Sequence, residues 1–245
     1  MTTSPRDGPT IHVLFRKEDL DPARLAGKTV VVVDILFATT SIIAALECGA
    51  SVVHPARDPD EALDLSTRLG VRAPVLAGES HFQFIDGFVQ PTPLALCRHV
   101  KPRDTLIYST TNGTVALRAC AGARRVLVGA LINTGATVRA LDLGRDDTVI
   151  ILCAGTAGAF NMEDFYGAGC LVQRIAAQYP GGRMTDAALA ALDYFEASDA
   201  GSVLRRSMVG RLMLEWELEA EVDFAARIDA SEVAAELRDD LVLAL

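Results

Sequence analysis

Residues 29–36 read TVVVVDIL and form the most strongly β-forming stretch of the chain. The run is apolar on both faces, which is typical of a central strand in a parallel sheet covered by helices. Thr39 or Thr40 can cap a helix over residues 41–48, and Gly49 can end it. A buried strand followed by a capped helix is the repeating unit of α/β folds.

The same alternation continues towards the C-terminus and predicts a largely parallel or mixed sheet flanked by helices. We expect further strands at residues 51–54, 74–77, 105–109, 125–129 and 148–153, and helices at residues 59–69, 115–120, 134–141 and 162–178. The remainder is predicted to be a helical C-terminal segment, and we recognise no internal repeat. We therefore expect a single α/β domain over residues 1–245, with a boundary near residues 179–182 if the chain has two lobes.

The net charge of −9 at pH 7 limits the partners that we expect. Nucleic acids recruit basic surfaces, so an acidic chain is not expected to bind them. No apolar run approaches the roughly 20 residues that span a bilayer, and residues 1–7 lack the order of a signal peptide. The sequence therefore predicts a cytoplasmic protein without a membrane partner, and it leaves open whether the chain forms a homo-oligomer.

The five cysteines are widely spaced, and no two of them form a CxxC pair. This spacing indicates neither a zinc knuckle nor a disulfide framework. We expect most of the cysteines to be small buried residues of a reducing compartment. They are Cys48, Cys97, Cys120, Cys153 and Cys170.

Polar residues gather where several predicted strands end. In open parallel sheets, ligands bind beyond the carboxyl ends of the strands, where helix N-termini present backbone N–H groups. Asp34 lies late in its apolar strand, and the hydroxyls of Thr39 and Thr40 follow near a helix start. A carboxylate in this position is costly unless it is solvated, paired or bound to metal. The alternative is that Asp34 only caps the next turn.

Residues 110–114 follow another predicted strand and read TTNGT. Gly113 permits close backbone approach or a positive φ. The hydroxyls of Thr110, Thr111 and Thr114 and the amide of Asn112 can surround a phosphate with neutral donors. The alternative is a helix cap without function, because Ser, Thr and Asn are ordinary cap residues.

Acidic residues follow two further strands. Glu79 comes directly after one, and Glu163 and Asp164 begin the helix after another, where they also suit the helix dipole alone. Because Mg²⁺ prefers a few carboxylates plus waters and substrate oxygens, we expect these three residues to bind Mg²⁺ together with Asp34. His81 is the histidine that we consider as an acid or base, and a plain surface histidine is the alternative.

Several common catalytic motifs are absent from the sequence. There is no Walker A sequence, no GxGxxG, no GxSxG and no HExxH. The segment that begins at Asp34 lacks the second Asp of a DxDxT motif, so an aspartyl-phosphate mechanism of the haloacid dehalogenase type is not expected.

Taken in order, several segments resemble the 2-phosphosulfolactate phosphatase family. They are Val33-Asp34-Ile35-Leu36 with residues 38–42 (ATTSI), then residues 77–79 (AGE), 110–114 (TTNGT), 153–155 (CAG), 163–165 (EDF) with 167–169 (GAG), and 223–229 (DFAARID). The resemblance spans nearly the whole chain. It implies an α/β fold of that family's type and Mg²⁺-dependent hydrolysis of a phosphate ester on a small sulfonated acid.

The chain departs from the family pattern in three places. Phe37 stands where the family has Arg, residues 80–83 (SHFQ) replace a basic, glycine-rich continuation, and residues 91–93 (PTP) replace an Asn-Ser-Pro piece. Arg is the natural bidentate partner of sulfonate, carboxylate or phosphate. We therefore expect Phe37 and His81 to affect specificity, and the substrate to be less anionic or to carry an apolar part.

These patterns together predict a Mg²⁺-dependent phosphatase, a phosphoric monoester hydrolase that acts on a small anionic phosphorylated metabolite. Asp34, Glu79 and Asp164 are the candidate catalytic residues, and Thr39, Thr40 and residues 110–114 are the candidate phosphate-binding residues. One alternative is a lyase or isomerase-type enzyme of secondary metabolism that keeps the oxyanion-binding loop. The other is a non-catalytic protein that binds a small anion.

Overall fold

The structure is a computed structural model that describes residues 8–71 and 73–245. The predicted absence of a signal peptide concerns residues 1–7, which lie outside the described residues. Within the described part of the chain, no helix is both long and apolar enough to cross a membrane.

Eleven strands form one mixed sheet, in the order β5-β4-β6-β3-β11-β10-β7-β2-β8-β1-β9. The strands are β1 (Thr10–Leu14), β2 (Thr29–Val33), β3 (Val52–Ala56), β4 (Val75–Ser80), β5 (Gln83–Phe84), β6 (Thr105–Ser109), β7 (Arg125–Gly129), β8 (Thr148–Cys153), β9 (Arg183–Met184), β10 (Ala235–Arg238) and β11 (Leu241–Ala244). Every residue of β2 is buried, as the apolar run predicts.

The α/β class and the helical C-terminal segment are confirmed. The helices are α1 (Ala38–Glu47), α2 (Pro59–Arg68), α3 (Pro93–His99), α4 (Gly113–Ala119), α5 (Thr134–Arg139), α6 (Met162–Gln178), α7 (Asp186–Glu196), α8 (Ala200–Arg206), α9 (Met208–Glu215) and α10 (Glu219–Ala225). The chain does not end in helix, however, because the hairpin of β10 and β11 follows α10.

The β10–β11 hairpin divides the sheet into two parallel sets. β3, β6 and β4 lie on one side, and β7, β2, β8 and β1 lie on the other. Three antiparallel pairings separate the sets, so their strands run in opposite directions. Counted outward from the hairpin, β6 and β2 are each the second strand of their set, and each leads through a short loop into a helix. The sheet therefore has an approximate twofold arrangement that the sequence does not reveal.

A disulfide joins Cys48, which follows α1, to Cys97 in α3, with 5.4 Å between the Cα atoms. The prediction that the cysteines form no disulfide is wrong for this pair, because α1 and α3 pack together although the cysteines are 49 residues apart. Cys120, Cys153 and Cys170 are buried free thiols, as expected.

Residues 179–182 form the turn between α6 and β9. Gly182 N donates to the carbonyl of Tyr179 at 3.1 Å, and β9 then pairs with β1 in the same sheet. The choice between a single domain and two lobes at this turn stays a prediction.

Candidate functional site

Asp34 lies one residue beyond β2, where the chain enters α1, and it is only 7% exposed. Its Oδ1 accepts a hydrogen bond from Ala38 N at 3.3 Å, and the Thr39 hydroxyl donates to its backbone carbonyl at 2.8 Å. Oδ2 faces Gly113 so closely that a Cβ there would lie 2.5 Å away. Burial, followed by the negative charge of Asp164, raises the pKa of Asp34 well above its usual value.

Glu79 orients the TTNGT loop from the neighbouring strand β4. Its Oε1 accepts from Thr111 N at 2.6 Å, and its Oε2 accepts from the Thr111 hydroxyl at 3.1 Å and from Phe82 N at 2.9 Å. Within the loop, Thr110 N donates to Thr114 Oγ1 at 3.0 Å, and the Thr114 hydroxyl donates to the Thr110 carbonyl at 2.9 Å. The loop conformation is therefore fixed by its own hydroxyls and by one buried carboxylate.

Asp164 and Glu163 are fully buried in the first turn of α6. Asp164 accepts from Ile35 N at 2.8 Å and from Gly155 N at 3.2 Å, which joins the loops after β2 and β8. The oxygens of Glu163 accept no hydrogen bond from the described residues. Burial, together with the Glu163 charge, raises the pKa of Asp164 to about 8, and burial raises the pKa of Glu163 to about 7.

The two halves of the sheet build the site in the same way. In one half, Glu79 accepts from the backbone N–H of Thr111 after β6. In the other half, Asp164 accepts from the backbone N–H of Ile35 after β2. The site therefore lies where the corresponding loops of the two halves meet, and the contact between Asp34 and Gly113 joins them.

Two cavities open at this meeting point. The inner pocket, of about 20 Å³, is lined by Asp34, Leu36, Phe37, Ala38, Glu79, Phe82, Thr110, Asn112, Thr156 and Val209. The outer pocket, of about 340 Å³, is lined by Lys17, Glu18, Glu79, His81, Phe82, Thr111, Asn112, Ala157 and Gly158. Glu79, Phe82 and Asn112 line both pockets, so the two cavities adjoin.

Seven of the thirteen predicted site residues line these pockets, and six do not. Asp164 lies behind the loops that it joins, and Glu163 is buried next to it in the first turn of α6. Gly113 and Thr114 lie in the first turn of α4. The Thr39 and Thr40 hydroxyls donate to the backbone carbonyls of Asp34 and Ile35, at 2.8 Å each. The roles of Glu163 and Asp164 as metal ligands, and of Thr39 and Thr40 as phosphate-binding residues, stay predictions.

The sequence analysis missed Lys17, which lies in the outer pocket. Its Nζ donates to Asn112 Oδ1 at 2.8 Å and pairs with Glu18 Oε1 at 2.9 Å. Lys17 follows β1, which is one of the strands that the sequence patterns did not predict. The alternation of buried Ile11 and Val13 is the signal that identifies this strand, and its carboxyl end leads to Lys17.

The grouping of acidic side chains at the site decides whether it can hold Mg²⁺. Among the described residues, no group of three or more His, Cys, Asp or Glu side chains is placed to hold a metal ion. Mg²⁺ commonly binds through only one or two carboxylates, with waters and substrate oxygens completing its shell. The inner pocket has about the volume of one or two water molecules, and the carboxylates of Asp34 and Glu79 line it. Asp34 and Glu79 are therefore the two carboxylates that would hold Mg²⁺ here, and its binding stays a prediction.

The chain is similar to known proteins over nearly its whole length. The family model described as 2-phosphosulpholactate phosphatase matches residues 14–240. A "Probable 2-phosphosulfolactate phosphatase" of Clostridium beijerinckii is 31% identical over 231 residues, which cover 94% of this chain and 97% of that protein.

Two further relatives carry the same name. The protein of Symbiobacterium thermophilum is 34% identical over 86% of this chain and 91% of its own length. The protein of Caldanaerobacter subterraneus is 40% identical over 62% of this chain and 63% of its own length. These matches confirm the prediction of a phosphatase, that is, a phosphoric monoester hydrolase. The chain belongs to the 2-phosphosulfolactate phosphatase family.

Proposed function

We propose that this chain is a Mg²⁺-dependent phosphatase that hydrolyses the phosphate monoester of a small acidic metabolite. The observation that carries the proposal is the meeting of two buried carboxylates, Asp34 and Glu79, with the TTNGT loop at one pocket. The carboxylates come from opposite halves of the sheet. Family membership supports the reaction class.

The residues of the inner pocket suit attack by water on phosphorus. Asp34 and Glu79 line this pocket, and a carboxylate oxygen that is not holding the metal would accept a proton from the attacking water. The new bond joins the water oxygen to phosphorus, the ester P–O bond breaks, and the proton reaches the leaving alcohol. Thr110 and Asn112 line the same pocket, and we propose that they contact phosphoryl oxygens there. When bound by Asp34 and Glu79, Mg²⁺ would supply Lewis-acid stabilisation of the phosphoryl charge.

The wall of the inner pocket supports the proposal of an altered substrate. Phe37, Phe82 and Val209 present apolar side chains there, beside the polar loop. The family name describes a substrate with a phosphate, a carboxylate and a sulfonate. An apolar wall gives no partner to such charges, so we propose that the pocket takes a less anionic ester than 2-phosphosulfolactate.

Phosphate release from a broad panel of phosphomonoesters tests the function. We expect release with Mg²⁺, loss of release with EDTA, and restoration when Mg²⁺ is added in excess. Asp34→Ala is the matched inactive control. No release from any ester would refute the phosphatase proposal. A transformed substrate without free phosphate would instead indicate a lyase or isomerase.

A further inference from the structure

Lys17 differs from the other residues that line the inner and outer pockets. Of the described residues at these two cavities, it is the one Lys or Arg. Its side chain is only 14% exposed, although a lysine is usually well solvated. A cation held in this position reduces the unfavourable charge of the carboxylates around it and is available to an anionic ligand.

Both the backbone and the side-chain ammonium of Lys17 are held by hydrogen bonds. Its backbone N–H donates to the carbonyl of Ala154 at 3.3 Å, at the end of β8. Its Nζ donates to Asn112 Oδ1 at 2.8 Å, so the ammonium lies against the TTNGT loop. Thr111 and Asn112 line the same outer pocket. Both Thr111 donors bind Glu79, so the side-chain N–H₂ of Asn112 is the neutral donor that can bind another oxygen of the same anion beside this charge.

The outer pocket contains little positive charge beyond Lys17. The carboxylates of Glu18 and Glu79 line it, and Glu18 is paired with Lys17 at 2.9 Å. Phe82, Ala157 and Gly158 complete much of the remaining wall. The volume of about 340 Å³ suits a small metabolite. Beyond Lys17, a further acidic group on that metabolite would face the carboxylates of Glu18 and Glu79, apolar surface or the imidazole of His81.

We propose that Lys17 is the substrate-binding cation of this site, and that its isolation restricts the substrate to monoesters with one further acidic group or none. This inference rests on the proposed function, because it names the substrate class of the same site. Lys17 binds the anionic end of the ester beside the Asn112 amide. The carboxylates of Glu18 and Glu79 disfavour esters that carry additional acids.

Binding of non-hydrolysable phosphonate analogues, measured by titration calorimetry, tests the inference independently of turnover. The analogues correspond to phenyl phosphate, 2-phospholactate and 2-phosphosulfolactate, which carry zero, one and two further acidic groups. We expect the wild type to bind the phospholactate analogue at least about tenfold more tightly than the phosphosulfolactate analogue. Glu18→Gln should narrow that difference, because it removes one repelling carboxylate.

Lys17→Gln should weaken binding of the phospholactate analogue by about 10- to 100-fold, as expected for a lost charged hydrogen bond. Lys17→Arg should retain most of the affinity. Lys101→Gln, an equal charge change on the exposed surface, should have no effect. A wild-type preference for the phosphosulfolactate analogue, or equal binding by Lys17→Gln and the wild type, would overturn the inference. Binding as expected without hydrolysis of any ester would support the inference and reject the proposed function.

Discussion

Glu163 illustrates at the residue scale how this fold tolerates unfavourable charge. Its carboxylate is fully buried at the start of α6, and its oxygens accept no hydrogen bond from the described part of the chain. Such a group is costly to ionise. Burial raises its pKa to about 7 from a usual value of 4.5, so it keeps a proton in the folded state that the unfolded chain has lost.

The contribution of Glu163 to the free energy of unfolding should therefore fall as the pH rises. Because the folded state binds the proton more tightly, the loss from Glu163 develops between about pH 4.5 and 7 and then levels off. Glu163→Gln should match the wild type at pH 4.5 and exceed its free energy of unfolding at pH 8. Urea titrations in EDTA measure this, with exposed Glu219→Gln as the control. A constant difference across this range would contradict the assignment.

Gly113 is the residue that lets the two halves of the site touch. A Cβ there would lie 2.4 Å from Ala38 Cβ and 2.5 Å from Asp34 Oδ2. Gly113→Ala should push α4 away from α1 and displace Asp34. We expect a loss of kcat/KM of at least about tenfold and a loss of about 1–3 kcal/mol in the free energy of unfolding.

Gly122→Ala provides the matched control for that substitution. The nearest atom to a Cβ at Gly122 is the Pro22 carbonyl oxygen, at 4.0 Å, so this variant should keep both activity and stability. If Gly113→Ala behaved like Gly122→Ala, the close approach of the two loops would not be required for activity.

At the scale of elements, a buried carboxylate links α10 to the start of α3. Glu221 accepts hydrogen bonds from the Thr92 hydroxyl at 2.8 Å, from Leu94 N at 2.8 Å and from Ala95 N at 3.2 Å. The first backbone N–H groups of a helix have no partner within the helix. Glu221 therefore fixes the C-terminal helices to the irregular segment that leads into α3.

Glu221→Ala should lower the free energy of unfolding by about 3 kcal/mol, because it leaves buried donors unpaired. Glu219→Ala lies on the exposed side of the same helix and should change it by less than about 0.5 kcal/mol. Denaturant titration of both variants measures the difference. Equal losses would show that the negative charge in the first turn of α10, and not the contact with α3, accounts for the effect.

The elements that sequence patterns predict are those with strong local signals. β2 is a continuous apolar run, and Asp58 caps α2 by accepting from Glu61 N, so both follow from residue type alone. β1 and the β10–β11 hairpin were missed because none of these strands is a continuous apolar run. They pair only because distant strands, β8 for β1 and β7 for β10, offer open edges.

At the scale of the whole molecule, the site was predicted on the assumption that the carboxyl ends of parallel strands meet at one edge of a sheet. Asp34, Glu79 and the 110–114 loop do meet, although the strands that carry them run in opposite directions. The sequence contains no signal for this reversal, since it depends on the last two strands. Lys17 was not placed at the site for a separate reason, because the strand before it, β1, was not recognised.

The central claim is that the two halves of the sheet form one site in which water attacks the phosphorus of a monoester. Hydrolysis of an accepted ester in H₂¹⁸O, followed by mass spectrometry of both products, tests it most directly. The account predicts one ¹⁸O atom in each released phosphate and none in the alcohol. Label in the alcohol, or a product formed without release of phosphate, would contradict it.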